Sequence, residues 1–207
     1  MREKLLIIGA SGHGKVVADI ALKMNIWKKI LFLDDDENIK SSMGIEVVGK
    51  TRDALKYVHD CNLFVGIGNN FTRKKIQNTL EAEGACIPIL IHPTAVIGRD
   101  VKLESGTVVM AGVIINCCTT IGKGCIVNTS ATIDHDNLIE DFVHISPGSH
   151  LAGNVTVKKG TWLGIGSLIS NNINITCNSI VGAGATVVKD ITESGTYVGV
   201  PARRVLR

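Results

Sequence analysis

The chain has 207 residues, a formal net charge of +3 and 20% charged residues, enough length for one large core or two small ones. No basic run or arginine-rich segment marks a nucleic-acid surface, and Lys4 to Ile8 is stopped by Gly9 before reaching the length of a signal peptide or membrane span. The six cysteines form no Cys-x-x-Cys pair and read as reduced thiols, so a cytoplasmic protein is expected. In chain order, Lys4 to Gly9 reads as a buried strand. Gly14 to Asn25 reads as a helix with Val16, Val17, Ile20, Ala21 and Met24 on one stripe. Ile30 to Asp34 is a second strand; a turn-rich stretch and Glu46 to Gly49 follow. A helix from Thr51, its N-cap, to about His59 comes next. Asn62 to Gly68 reads as a strand, Thr72 to Glu83 as a helix and Ala85 to Ile91 as a last strand. This alternation predicts a small Rossmann-like parallel α/β domain over residues 1–92.

Gly9-Ala10-Ser11-Gly12-His13-Gly14 joins the first strand to the first helix, where backbone N–H groups can receive an anion. The order is G-x-x-G-x-G rather than G-x-G-x-x-G, so a tight strand-to-helix turn describes it too. Asp34-Asp35-Asp36 closes the second strand about twenty residues on, where a ribose-binding carboxylate belongs. Gly66-Ile67-Gly68-Asn69-Asn70 ends a later strand on the same sheet edge. About ninety residues cannot supply two mononucleotide halves, so one nucleotide diphosphate carrying a small group fits better. His13 either meets that ligand or caps the helix.

After His92-Pro93 the pattern changes. Sixteen consecutive six-residue blocks run from Ala95 to Asp190, each with an aliphatic third position, from Ile97 through Val187. A period of six matches neither a helix face nor an alternating strand. It matches a solenoid in which each block is one short strand plus a corner, with one inward aliphatic per block. Gly, Asn, Asp and Lys crowd the corners. A left-handed parallel β-helix of hexapeptide repeats is therefore expected over residues 93–207, with three blocks to a triangular coil.

Residues eighteen apart then stack about 4.8 Å from one another. His135, within Asp134-His135-Asp136, falls on a corner between Cys117 and Gly153 of the adjacent coils. Either carboxylate can fix its tautomer and raise its basicity, which makes His135 a candidate general base. Gly153 has no side chain to block a thioester, and its N–H can serve an oxyanion. His144, half a coil away and one coil before Trp162, can hydrogen-bond a thioester carbonyl or simply face an interface. His135 and His144 point from different sides of one prism. A homotrimer with sites between subunits is expected, since a second rod must bring the two together.

These motifs carry a resemblance. Gly9 to Gly14, Leu33-Asp34-Asp35, Gly68-Asn69-Asn70 with Arg73-Lys74-Lys75-Ile76, Asn128-Thr129-Ser130, Ala152-Gly153-Asn154-Val155 and Gly199-Val200-Pro201-Ala202-Arg203 together match one family. The chain resembles the bacterial hexapeptide-repeat sugar acyltransferases of the sialic acid O-acetyltransferase type, nearest the UDP-4-amino-sugar (UDP-N-acetylbacillosamine) N-acetyltransferases. The resemblance implies acetyl-CoA-dependent transfer to the 4-amino group of a nucleotide-linked, UDP-type amino-dideoxy sugar. It implies His135 as the base with an acidic residue after it, here Asp136. It places acetyl-CoA contacts on His144, Ile165 and Ala183, the last a glycine in the family. Nucleotide-sugar contacts fall on Ser11, Gly12, His13, Asp34, Asp35 and Gly68. No metal, nucleic acid or membrane partner is implied. The alternatives are O-acetylation of sialic acid or a related sugar and, more remotely, a zinc carbonic-anhydrase-like β-helix using His135, His144 and His150.

Overall fold

The computed structural model describes residues 2–205. The chain divides into two compact units, one ending at Pro93 and the next beginning at Thr94. In the first, strand β1 (Lys4–Ile8) leads into helix α1 (Gly12–Met24), then β2 (Lys29–Leu33) and a short hairpin of β3 (Ser41–Ser42) and β4 (Ile45–Glu46). A 3₁₀ helix at Thr51–Tyr57, strand β5 (Asn62–Val65) and helix α2 (Asn70–Ala82) follow. The sheet order is β2-β1-β5, all parallel, with Ile8 opposite both Leu33 and Val65. All three strands therefore end at one edge, with β2 and β5 flanking β1 on opposite sides. That is where an open α/β sheet leaves a crevice for ligand.

Two expectations for this unit need correction. Thr51 is the first helical residue and Lys50 the N-cap, whose N–H donates to Asp53 Oδ2 at 2.9 Å. Ala85 to Ile91 is not one strand: Cys86 bridges Asn62 singly and a two-residue strand forms only at Leu90–Ile91. Pro88 between them offers no N–H to a ladder.

The second unit is a left-handed parallel β-helix built of two-residue strands. Ile97 stacks on Ile115, Ile133, Leu151, Ile169 and Val187 in the first face. The second face runs from Lys102–Leu103 and the third from Val108–Val109, each pairing eighteen residues on. Every sixth residue from Asp100 to Gly184 has a positive φ, among them Cys118 (61°), Asp136 (58°) and Asn154 (58°). Gly, Asn and Asp tolerate this left-handed conformation best, which explains why they gather at the corners.

From Thr107 onward each block buries two side chains rather than the one expected, while the first two blocks, with Ile97 exposed, are only partly covered. The first position also points inward, and several of its polar side chains bond a carbonyl fifteen residues on. Thr107 donates to Gly122 O (2.7 Å), Thr119 to Asp134 O (2.9 Å) and Ser149 to Gly164 O (2.8 Å). A hydroxyl is thus affordable in the core because the corner carbonyl needs a donor. Thr196–Val198 extends the third face beyond Ile180–Val181, and Arg203–Arg204 folds back antiparallel on it.

Ile139 is fully buried and Lys158 exposed. Ile139→Ala should cost about 2–5 kcal/mol in urea unfolding, against at most about 0.5 kcal/mol for Lys158→Ala. Similar costs at the two positions would contradict the inward register.

Candidate active site

At the sheet edge of the first unit, the glycines do two different jobs. A methyl group on Gly14 would collide with the Gly9 carbonyl, and one on Gly66 would lie 3.0 Å from Gly14 Cα. These glycines let the loop after β1 and the loop after β5 close against each other. A methyl on Gly12 or Gly68 would meet nothing within 4 Å, so both face open space. Ser11 is the N-cap of α1 but makes no side-chain cap bond, and the first turn holds no acidic residue. The helix thus presents its first N–H groups at an uncapped positive end.

His13 follows, with its Nε2 buried and without a hydrogen-bond partner among the described residues. Burial, and secondly the charge of Arg73, pull its pKa down to about 4, so the ring is neutral at physiological pH. Asp34 acts here as a tie: Oδ2 accepts from Ala10 N–H at 2.7 Å and Oδ1 from Asp36 N–H at 2.9 Å. Asp35 accepts from Thr51 N–H at 2.9 Å. Asp34 also lines a cavity of about 270 Å³ with Asp36, Glu37, Lys40 and Lys50. The structure therefore brings Asp34 to the glycine loop, while Asp35 is turned toward the 3₁₀ helix.

In the β-helix, His135 occupies the corner between the first and second faces. Its Nδ1 lies 2.7 Å from Asp136 Oδ2. Asp134 instead accepts from the His135 backbone N–H (2.9 Å) and from Asn116 Nδ2 (2.8 Å). Asp136, in its left-handed corner, is thus the carboxylate that meets the ring. Asp136 first, then the charge of Asp134, raise the His135 pKa above its usual value. The imidazole lies over Gly153, where a methyl would come within 2.7 Å of Nε2 and 2.6 Å of Cε1. The room that glycine provides is filled by the histidine itself, a reason for Gly153 that spacing did not reveal. The backbone ladder runs through Ala152 N–H to Ile169 O and Asn154 N–H to His135 O, leaving the Gly153 N–H outside it.

His144, Ile165 and Ala183 come together in one groove of about 420 Å³ on the third face and its following corner. His144 is buried, stacked on Trp162 with ring centroids 5.2 Å apart and planes 11° from parallel. Asn128 Nδ2 donates to His144 Nε2 at 3.2 Å, and Trp162 Nε1 donates to Ser146 Oγ at 2.8 Å. Ile165 and Trp162 are exposed along the groove, and Ala183 is exposed at its end. Asn128, Ser146 and Trp162 join the three residues expected there. His135 lies outside this groove. His150 sits on the first face against Thr132 Oγ1 (2.8 Å), so the three histidines do not converge within one chain. Arg204 pairs with Glu193, Arg203 donates to the carbonyl of Ala202, and Arg207 lies outside the described residues.

A nucleotide-type sheet edge and a hexapeptide β-helix with an imidazole–carboxylate corner and an apolar groove are the parts of an acyltransferase of the hexapeptide class. Comparison with known proteins narrows this. Residues 4–80 match the family described as the PglD N-terminal domain. The chain is 38% identical to the acetyltransferase domain of PglB from Neisseria gonorrhoeae FA1090, solved in complex with acetyl coenzyme A. That comparison covers 99% of this chain and 100% of that one, with a TM-score of 0.96. PerB from Caulobacter crescentus, solved with CoA and GDP-perosamine, is 35% identical over 97% of this chain and 96% of its own, with a TM-score of 0.91. UDP-N-acetylbacillosamine N-acetyltransferase of Bacillus subtilis is 34% identical over 53% of this chain and 52% of its own length. The chain spans about half or less of the curated relatives it matches, which include serine acetyltransferases. The chain belongs to the bacterial hexapeptide-repeat sugar acyltransferases, in the PglD and PerB branch. No helix among the described residues is long and apolar enough to cross a membrane.

Because the Asp136 contact is the main cause of the raised His135 pKa, Asp136→Asn should bring the ring's titration down toward 6.5. Imidazole proton NMR reads this directly. A titration that Asp136→Asn leaves in place would show that Asp136 does not hold the ring.

Proposed function

We propose that this protein transfers an acetyl group from acetyl-CoA to the 4-amino group of a nucleotide-linked amino-dideoxy sugar. The observation that carries this reading is the His135–Asp136 pair seated on Gly153. With Nδ1 engaged by Asp136, the other ring nitrogen is the one available to a substrate proton. The acetyl-CoA and GDP-perosamine complexes of the two similar structures support both substrates.

A sugar amine is mostly protonated at pH 7 and must lose a proton to attack. His135 takes that proton as the nitrogen–carbon bond forms at the acetyl carbonyl. The Gly153 N–H is the proposed donor to the resulting oxyanion, and its collapse breaks the carbon–sulfur bond and releases CoA. The groove of His144, Trp162, Ile165 and Ala183 would hold the pantetheine arm. The nucleotide sugar would lie at the first unit's sheet edge, its diphosphate on the α1 N-terminus by Ser11, Gly12 and His13, with Asp34 and Gly68 at the rim. UDP is the proposed nucleotide.

His135 and the groove stand at different places on the rod, so we propose a homotrimer in which neighbouring chains complete each site. His135→Ala should lower turnover by about 10²–10⁴-fold. Since the base must be neutral and its pKa is raised, kcat/KM should fall on the acid side with an inflection above 6.5. Asp136→Asn should shift that inflection to lower pH while slowing the reaction. The direct test is a panel of UDP-, dTDP- and GDP-linked 4-amino sugars, with sialic acid and L-serine as controls, followed by thiol release from acetyl-CoA. Turnover confined to the controls would overturn this reading.

A further inference from the structure

The corner that carries His135 and Asp136 also carries two adjacent thiols. Cys117 lies one coil below His135 in the same column, and the Asp136 N–H donates to its carbonyl at 3.2 Å. Cys118, in the left-handed position (φ 61°), lies one coil below Asp136 and one coil above Asp100. Both thiols are exposed. The His135 ring leans the other way, over Gly153, and leaves Cys117 uncovered. The other cysteines are placed differently. Cys61 and Cys125 are buried, Cys177 is half-buried, and Cys86 Sγ accepts from Asn62 Nδ2 at 3.0 Å.

The two thiols are not equivalent. In its column Cys118 stands between the carboxylates of Asp100 and Asp136, whereas Cys117 stands between Arg99 and His135. Partial desolvation first, then the neighbouring Cys117 and those two carboxylates, raise the Cys118 pKa. A thiolate, not a thiol, attacks a disulfide, so this environment withholds Cys118 from exchange. Nor does the pair close readily on itself. Adjacent Cα atoms are about 3.8 Å apart, short of the roughly 4.4 Å at which disulfide geometry begins.

We propose that Cys117 is a modification site for a low-molecular-weight disulfide, and that its adduct closes the corner on which His135 works. The Cys117 thiolate attacks one sulfur of the small disulfide. A bond forms between Cys117 Sγ and that sulfur, the original sulfur–sulfur bond breaks, and the other half leaves as a thiolate that takes up the proton Cys117 released. The adduct stands one coil, about 4.8 Å, below His135 and occupies the approach to its ring. With Cys118 withheld as a resolving thiol, the mixed disulfide persists until an external thiol removes it. The loss of activity rests on the reading of His135 as the base; the modification does not.

The test treats the full chain with oxidised glutathione and maps the adduct by intact and peptide mass. His135 ring-proton NMR and turnover are measured on the same sample. Each chain should carry one glutathione, on Cys117, and the His135 signals should shift. Turnover should fall about tenfold or more and return with dithiothreitol. Cys117→Ser should keep wild-type turnover, take no adduct and be insensitive to the disulfide, whereas Cys118→Ser should still be modified. Labelling at Cys86 or Cys177 with Cys117 untouched would overturn the proposal. So would a Cys117–Cys118 disulfide in place of the adduct, or an adduct that leaves the His135 signals unmoved. Full turnover by a protein whose Cys117 adduct does move those signals upholds the site and rejects His135 as the base, so the two failures are told apart.

Discussion

The left-handed corner recurring every sixth residue is the constraint from which the rest of the β-helix follows. It fixes the coil at eighteen residues, and the fixed coil turns sequence spacing into columns. Asp136 occupies one of these corners, His135 precedes it, and Gly153 lies one coil on. The imidazole can rest over the corner only because the next residue in that column lacks a Cβ. Asn116 bonded to Asp134 keeps the second carboxylate in the column ladder, so one acid is structural and the other meets the ring. An exposed histidine, with its side chain 54% accessible, is thereby given a fixed partner and a raised pKa without being buried.

The first unit solves a different problem, which is to leave a helix N-terminus empty. Gly14 and Gly66 are consumed by the close approach of two loops, and Asp34 pins the glycine loop through Ala10. What remains open is Gly12, Gly68, the uncapped Ser11 and the buried nitrogen of His13.

Much of this was legible from the chain. The hexapeptide register marked the solenoid strands from Val96 to Val187, though not Thr196–Val198 or Arg203–Arg204 beyond it, because a third-position aliphatic and a left-handed sixth position are local demands. The parallel α/β sheet was visible in the alternation of apolar runs. Other features depend on contacts made at a distance. The hydroxyls of Thr107, Thr119 and Ser149 are inward because carbonyls fifteen residues on require donors, which looks in sequence like a preference for small residues. Choosing between Asp134 and Asp136 needed the direction of two side chains. Gly153 was read as space for substrate, whereas the histidine fills that space. Arg73 left a signal: Arg73, Ile76, Gln77 and Leu80 share one helical stripe, and a cation in its buried phase marks a group with partners. Pro88 likewise announced the break in the expected last strand.

One chain carries its imidazole on the first corner and its apolar groove on the third face and the corner after it, so the proposed site joins the imidazole of one chain to the groove of a neighbour. The most direct measurement is subunit complementation. His135→Ala chains and chains with a blocked groove (Ala183→Trp) are each assayed alone, then refolded or coexpressed together. The expected result is two inactive parents and a mixture that regains a substantial fraction of wild-type turnover, because some clefts then pair an intact His135 with an intact groove. A mixture as inactive as its parents, from chains shown to co-assemble, would contradict a site shared between neighbours.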